Sequence, residues 1–271
     1  MVNNIHKSAI IDDNVVIGEN VTIGPYCYIT GNVEIGNNNI LKSHVVISGN
    51  TKIANNNVFH SFSNIGDAPQ DLKFSGEDSY LEIGSSNVFR ENVTIHSGTA
   101  VGNKYHNIHN LTKIGDECLF MVGSHVAHDC VVENKVIMAN NATLAGHVSV
   151  GHNVIIGGLS AVLQFVRIGD FAIIGGMSGI DNDVLPYALV TGDRAFIAGL
   201  NLIGLKRNGF DKNRISTIKS AYNFLFEDSS YNLKEKVNML KEQNADNESI
   251  KLLVDFISNS GQKALLKPRS K

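Results

Sequence analysis

Tryptophan is absent from this 271-residue chain, proline occurs four times, and aromatic residues make up only 7%. A core of large rings is thereby excluded, while 25 glycines suit stacked short strands and many turns better than a layered α/β body. Three cysteines cannot form a disulfide framework, and reduced thiols fit a cytoplasmic enzyme. No charge sign dominates: 23 Lys and Arg against 26 Asp and Glu give a net charge of -3. With a pI near 6.4, the chain has no global attraction to nucleic acid or an anionic membrane, so a polyanion would need a local patch. Long apolar runs are missing too. The opening MVNNIHKSAIIDDN has no basic start followed by an apolar core, and the most apolar later stretch is broken by Arg167 and Asp170. Neither a signal peptide nor stable membrane insertion is expected.

What is present is a period of six. Counting from Ile11 lands on Ile17, Ile23, Ile29, Ile35, Leu41, Ile47, Ile53, Phe59 and Ile65 without a miss. The frame resumes at Ile83, Phe89 and Ile95, and again from Ile114 through Phe120, Val126, Val132 and onward to Ile180. At 43% apolar content, the last run of twelve arises by chance on the order of once in 10⁵ trials. A six-residue strand cannot bury a face alone, so three units form a triangular coil and coils stack by parallel pairing. About eight coils at ~4.8 Å each give a prism ~40 Å long. The position four after each large residue should also face inward, and it reads Val15, Val21, Cys27 and Val33, then Cys118, Cys130 and Ala142. All three cysteines share that register, which predicts buried packing residues. Repeats of this kind resemble the left-handed parallel β-helix family, and the handedness is an implication of that resemblance.

Two excursions interrupt the frame, at 66–82 and 97–113, and loops on a rigid scaffold are where sites are built. The first carries Gln70, Asp71, Leu72 and Lys73; the second carries His106 and His109, read as surface residues. After Asp181 the period stops. Ile215, Ile218, Tyr222 and Leu225 share a helical face, Asn232 and Glu235 form a capping-box pattern, and Ile250, Leu253, Val254 and Ile257 mark another helix. The division expected is a β-helix over 1–190 and a small C-terminal α-helical domain over 191–271. Lys206, Arg207, Lys212, Arg214 and Lys219 surround the single Asp211, as either a solvated face or a dock for an acidic partner. His128 and His147 lie outside both inward registers, so they face outward or into a subunit groove. An outward His128 beside Asp129 suits a general base, with plain surface histidines as the alternative.

HVAHDC at 125–130, NNATLAGHVSVG at 140–151, Gln70 to Lys73, and NLIGLKRNG at 201–209 together resemble the UDP-N-acetylglucosamine O-acyltransferase family over essentially the whole chain. The resemblance implies transfer of an (R)-3-hydroxyacyl group from acyl carrier protein to the 3-hydroxyl of UDP-N-acetylglucosamine, the first step of lipid A biosynthesis. It implies His128 as general base, Asp129 as its orienting partner and the Gly146 backbone N–H as oxyanion donor, with no acyl-enzyme, metal or cofactor. It places His125, His147, Asp71 and Lys73 around the glucosamine and Gln70 beside the acyl or sugar portion. Gln164 and Asn201 fall near the nucleotide, Arg207 at phosphate or carrier, and Gly176 where acyl-chain length is set. A cytoplasmic homotrimer with sites between subunits is implied as well.

Three residues depart from the family pattern. Leu163 stands where a histidine is frequent, Ile203 replaces an acidic residue, and Asn208 replaces a second arginine. These leave the acceptor open between a 3-hydroxyl and a 3-amino sugar nucleotide. A sister enzyme that N-acylates UDP-glucosamine derivatives would be expected to carry an N-terminal uridine-binding domain, whereas here the repeat starts at Ile11. A trimeric β-helix carbonic anhydrase, with interface histidines on Zn²⁺, is the alternative of a different class.

Overall fold

A computed structural model describes residues 2–227, 230–244, 246–259 and 261–269. Successive strands, most of two residues, fall in turn on three sheets of eleven, nine and eight strands, which wrap a triangular prism. All neighbours pair in parallel except the closing hairpin Ala188–Thr191 with Phe196–Leu200. The hexad residues point inward, and equivalent ones stack along the axis. Phe59, Phe89 and Phe120 lie in register with ring centroids 4.7 and 5.0 Å apart, nearly parallel. Each such buried side chain contributes roughly 1.5–3 kcal/mol. Ile11 and Ile17 are only partly covered, because the first coil has a neighbour on one side alone.

The second inward register selects for size more than for apolarity. Cys27, Cys118 and Cys130 are buried free thiols, and burial pushes Cys118 up to about 11 and Cys130 to about 12. The same register also holds Asn39, Asn57 and Asn87, fully buried. Their amides form a ladder: Asn57 Nδ2 donates to Asn39 Oδ1 (3.0 Å), the Asn87 N–H to Asn57 Oδ1 (2.9 Å), and the Cys118 N–H to Asn87 Oδ1 (2.7 Å). Buried amides are tolerated because their polar groups are paired.

The excursions are narrower than the interrupted period suggested. Strands Asn64–Asp67 and Tyr80–Ile83 bound the first, leaving residues 68–79, and Thr94–His96 and Leu111–Ile114 bound the second, leaving 97–110. The extra strand residues pair because Leu81 and Thr112 turn inward above Thr51, adding a ladder rung before the hexad position.

The tail forms α1 (Leu202–Arg207), α2 (Lys212–Phe226), α3 (Leu233–Gln243) and α4 (Glu248–Ser258). α2 and α4 follow the apolar spacing, and Asn232 with Glu235 makes the capping box that opens α3; α1 is additional. Residue 190 falls inside a strand, so the helices grow out of the last sheet hairpin. They also return to the prism: Tyr222 Oη donates to the Pro186 carbonyl (2.5 Å), and Arg167 pairs with Asp183 while its guanidinium lies 4.4 Å from the Phe256 ring. Among the described residues no helix is long and apolar enough to cross a membrane.

Candidate active site

One turn of the prism takes 18 residues in the uninterrupted stretches, so position 146 stacks over 128 and position 147 over 129. These four residues form the corner where the chain passes from the nine-stranded to the eight-stranded sheet, after His125–Val126 and Thr143–Leu144. Asp129 (φ 58°) and His147 (φ 62°) adopt the left-handed conformation that the sharp corner demands. The His147 N–H donates to the His128 carbonyl (2.9 Å), locking the two coils together.

His128 Nδ1 lies 2.8 Å from Asp129 Oδ2. Asp129 is fully buried and its orientation is fixed: the Thr99 N–H donates to Oδ1 (2.7 Å), the Thr99 hydroxyl to Oδ2 (2.6 Å), and the Asp129 N–H to Thr112 Oγ1 (2.8 Å). A carboxylate accepts and does not donate, so this network assigns the proton to His128 Nδ1 and leaves the Nε2 lone pair free. That face meets Gly146, where an added Cβ would fall 2.6 Å from Nε2. The Gly146 N–H has no acceptor among the described residues.

Neighbouring histidines are kept neutral by burial. His125 Nδ1 lies 2.7 Å from Thr94 Oγ1, and its pKa is pushed down to about 4, first by desolvation and then by His96 and His128. His147 is lowered by the same cause, stacks on Phe165 at 4.5 Å and directs Nδ1 at the Gly102 carbonyl (2.8 Å). The charge on Asp71 opposes that lowering, which places the first excursion within electrostatic reach of this corner. His128 is only 4% exposed and His147 8%. They do not stand open as the outward register suggested, because the second excursion folds over them. His106 within it is half-buried and lowered by desolvation, contrary to its reading as a surface residue; His109 is exposed.

The remaining expected residues are spread more widely. Gln70 and Lys73 are exposed on the first excursion, Asp71 is half-buried, and Gln164 is exposed one coil beyond Gly146. Gly176 lies at the other edge of the nine-stranded sheet, where a Cβ would meet only Gly158, with the carbonyl oxygen at 3.2 Å. Asn201 caps α1, accepting from the Gly204 N–H (3.0 Å) and donating to the Phe171 carbonyl (2.8 Å). With Arg207 it borders a groove of about 720 Å³ along the outer face of the eleven-stranded sheet. That face lies opposite the His128 corner of the triangle, so a single chain does not bring the two groups together. Ligand atoms of His128, Asp129 and His147 lie close enough to share a metal ion. Those of Asp129 and His147 are already bonded to Thr99, His128 and Gly102, so a metal would have to displace this network.

Sequence reasoning missed Thr99, Gly102, Asn103, Thr112 and Phe165. The 18-residue step finds Phe165 above His147; the excursion residues carry no periodic signal.

The family model described as UDP N-acetylglucosamine O-acyltransferase, domain 2, matches residues 183–265, and the bacterial transferase hexapeptide model matches residues 14–49. An acyl-[acyl-carrier-protein]--UDP-N-acetylglucosamine O-acyltransferase of Campylobacter concisus is 39% identical over 255 residues, 94% of each chain. The crystal structure of UDP-N-acetylglucosamine O-acyltransferase from Moraxella catarrhalis superposes with a TM-score of 0.92 at 42% identity, covering 97% of this chain and 99% of that one. The UDP-N-acetylglucosamine acyltransferase of Campylobacter jejuni gives 0.90 at 36% identity, covering 98% and 100%. With these neighbours the coil is the left-handed parallel β-helix that the family resemblance implied.

Proposed function

Because the chain belongs to the UDP-N-acetylglucosamine O-acyltransferase family, we propose that it moves an acyl group from acyl carrier protein to UDP-N-acetylglucosamine, the first step of lipid A biosynthesis. The group is an (R)-3-hydroxyacyl chain and the acceptor is the sugar 3-hydroxyl. Relatives matched along nearly the whole chain do not favour the N-acylating and carbonic anhydrase alternatives.

His128 carries the chemistry. With Nδ1–H held by Asp129, its Nε2 removes the proton of the 3-hydroxyl as that oxygen attacks the thioester carbonyl. The Gly146 N–H donates to the oxygen that gains charge. Collapse re-forms the carbonyl, breaks the carbon–sulfur bond, and the proton on Nε2 passes to the leaving carrier thiolate. The three cysteines, buried with raised pKa, take no part. The single observation behind this reading is the Asp129–His128–Gly146 alignment. Its test is His128→Ala, assayed with 3-hydroxyacyl carrier protein and with both 3-hydroxy and 3-amino acceptors. A loss of about 10³-fold at unchanged melting temperature is expected; activity within tenfold of wild type would refute the base assignment.

The working unit is a homotrimer. Its support is an outward apolar row on the eleven-stranded sheet, Val58, Val88, Leu119, Ile137, Ile155 and Ile173, each stacked on the next in register and only half-buried. That face carries Asn201 and Arg207, opposite the His128 corner. A corner of one copy laid against this face of the next completes the site, and such a head-to-tail contact among triangular prisms closes at three. Arg207 then serves substrate phosphate or the carrier, and Gln70, Asp71, Lys73, His125, His147 and Gln164 surround the sugar nucleotide. A monomer by light scattering that turns over substrate would overturn the shared site. The cytoplasm, where the unpaired thiols stay reduced, completes the reading.

A further inference from the structure

We propose that Thr99 is a positioning residue for the acyl transfer, acting on His128 through Asp129; this rests on the reading of His128 as the general base. Thr99 is 2% exposed and both of its donors are turned to Asp129, so it is not placed to touch substrate. Its backbone N–H and its hydroxyl nevertheless take one oxygen each of the Asp129 carboxylate, at 2.7 and 2.6 Å. Because a carboxylate has no proton to give, the hydroxyl must be the donor. Two fixed donors on opposite oxygens set the rotation of the carboxylate plane. Asp129 Oδ2, shared by the Thr99 hydroxyl and His128 Nδ1, then sets the rotation of the imidazole and its tautomer.

This arrangement is useful only if Thr99 itself is held, and the second excursion is anchored where it matters. Asn103 Nδ2 donates toward the Asp129 carbonyl (3.0 Å), the His147 carbonyl (3.3 Å) and Ser149 Oγ (3.2 Å). The Gly102 carbonyl accepts from His147 Nδ1, and Asn103 pairs with Ile108 across the loop. Gly102 makes the turn at φ +64°, where a Cβ would collide with the Ile108 carbonyl oxygen at 2.1 Å. Outside, the Arg167 guanidinium lies over the Tyr105 ring at 4.7 Å. Both corner residues, Asp129 and His147, therefore take their orientation from a segment outside the repeat.

The test is steady-state kinetics of Thr99→Val, Thr99→Ser, Thr99→Cys, Asp129→Asn and the double variant Thr99→Val/Asp129→Asn in the full chain. Thr99→Val keeps the shape and the backbone donor but removes the hydroxyl. Its kcat should fall about 10- to 100-fold, the worth of one hydrogen bond to a buried charge. KM for UDP-N-acetylglucosamine should stay within about twofold, since ground-state binding is untouched. Thr99→Ser should restore kcat to within about threefold, and Thr99→Cys, a weak donor, should fall between. Adding Thr99→Val to Asp129→Asn should cost nothing further. Wild-type kcat in Thr99→Val or Thr99→Cys, a fall that serine does not rescue, or multiplicative losses in the double variant would each overturn the proposal. Should His128→Ala remain active, the base assignment is what fails; an inactive His128→Ala beside an unaffected Thr99→Val refutes the positioning role alone.

Discussion

Gly146 occupies, one coil further along the prism, the same position as His128, and a Cβ on it would fall 2.4 Å from His128 Cε1. The glycine is required by that ring and not by its own backbone, since its φ lies outside the left-handed region. Gly146→Ala should therefore push the imidazole off Asp129, lowering kcat by about 100-fold and stability by about 1–3 kcal/mol. In a His128→Ala background the same methyl finds space, and the stability loss should vanish. Denaturant unfolding of the four proteins checks this; an equal loss in both backgrounds would locate the clash elsewhere.

An added Cβ on Gly176 would meet Gly158 alone, at 3.2 Å from its carbonyl oxygen, so a side chain there fits only with a shift of a few tenths of an ångström. If Gly176 ends the acyl groove, its missing side chain leaves space for a longer chain, which Gly176→Met should fill. Competition among hydroxyacyl carrier proteins of several lengths should then shift toward shorter donors. An unchanged preference would remove Gly176 from the ruler role.

His125 is held at about 4, and His96, His106 and His147 are lowered as well, all first by burial. Their unfolded values lie near 6.5. Between pH 6.5 and 4 the unfolded chain therefore binds protons that the native protein refuses, so stability falls as pH falls through that window. Urea unfolding at pH 7.5 and 5 should show the drop, and His125→Gln should make it shallower. A stability that rises on acidification across this range would contradict these neutral histidines.

Arg167 joins three segments: it pairs with the buried Asp183, stacks beneath Tyr105 of the second excursion and meets Phe256 of α4. Arg167→Ala leaves Asp183 buried without its cation, a loss of about 3–5 kcal/mol at pH 8. Burial already raises the Asp183 carboxyl, with Arg167 opposing that rise. Without the guanidinium it rises further, so the deficit relative to wild type should shrink as the pH is lowered from 8 to 5. Chemical denaturation at both pH values measures the difference; a deficit independent of pH would mean that packing, not charge, dominates at Arg167.

The hexad frame was legible because an uninterrupted period converts sequence distance directly into position. It identified the inward hydrophobic faces, sent the three cysteines to the axis, and by its 18-residue step stacked Gly146 over His128 and His147 over Asp129. Apolar spacing and the Asn232–Glu235 cap likewise gave α2, α3 and α4. The asparagine ladder needed coordinates, because an amide is admitted to a core only when its partners are in place. Thr99, Gly102 and Asn103 needed them too: outside the repeat, no spacing says where an excursion lands. Nor could the sequence tell that Asn201 and Arg207 sit on the face opposite the catalytic corner. Local period determined the scaffold and the His128–Asp129 pair; only tertiary packing, which joins segments without a shared period, decided what buries and aims that pair.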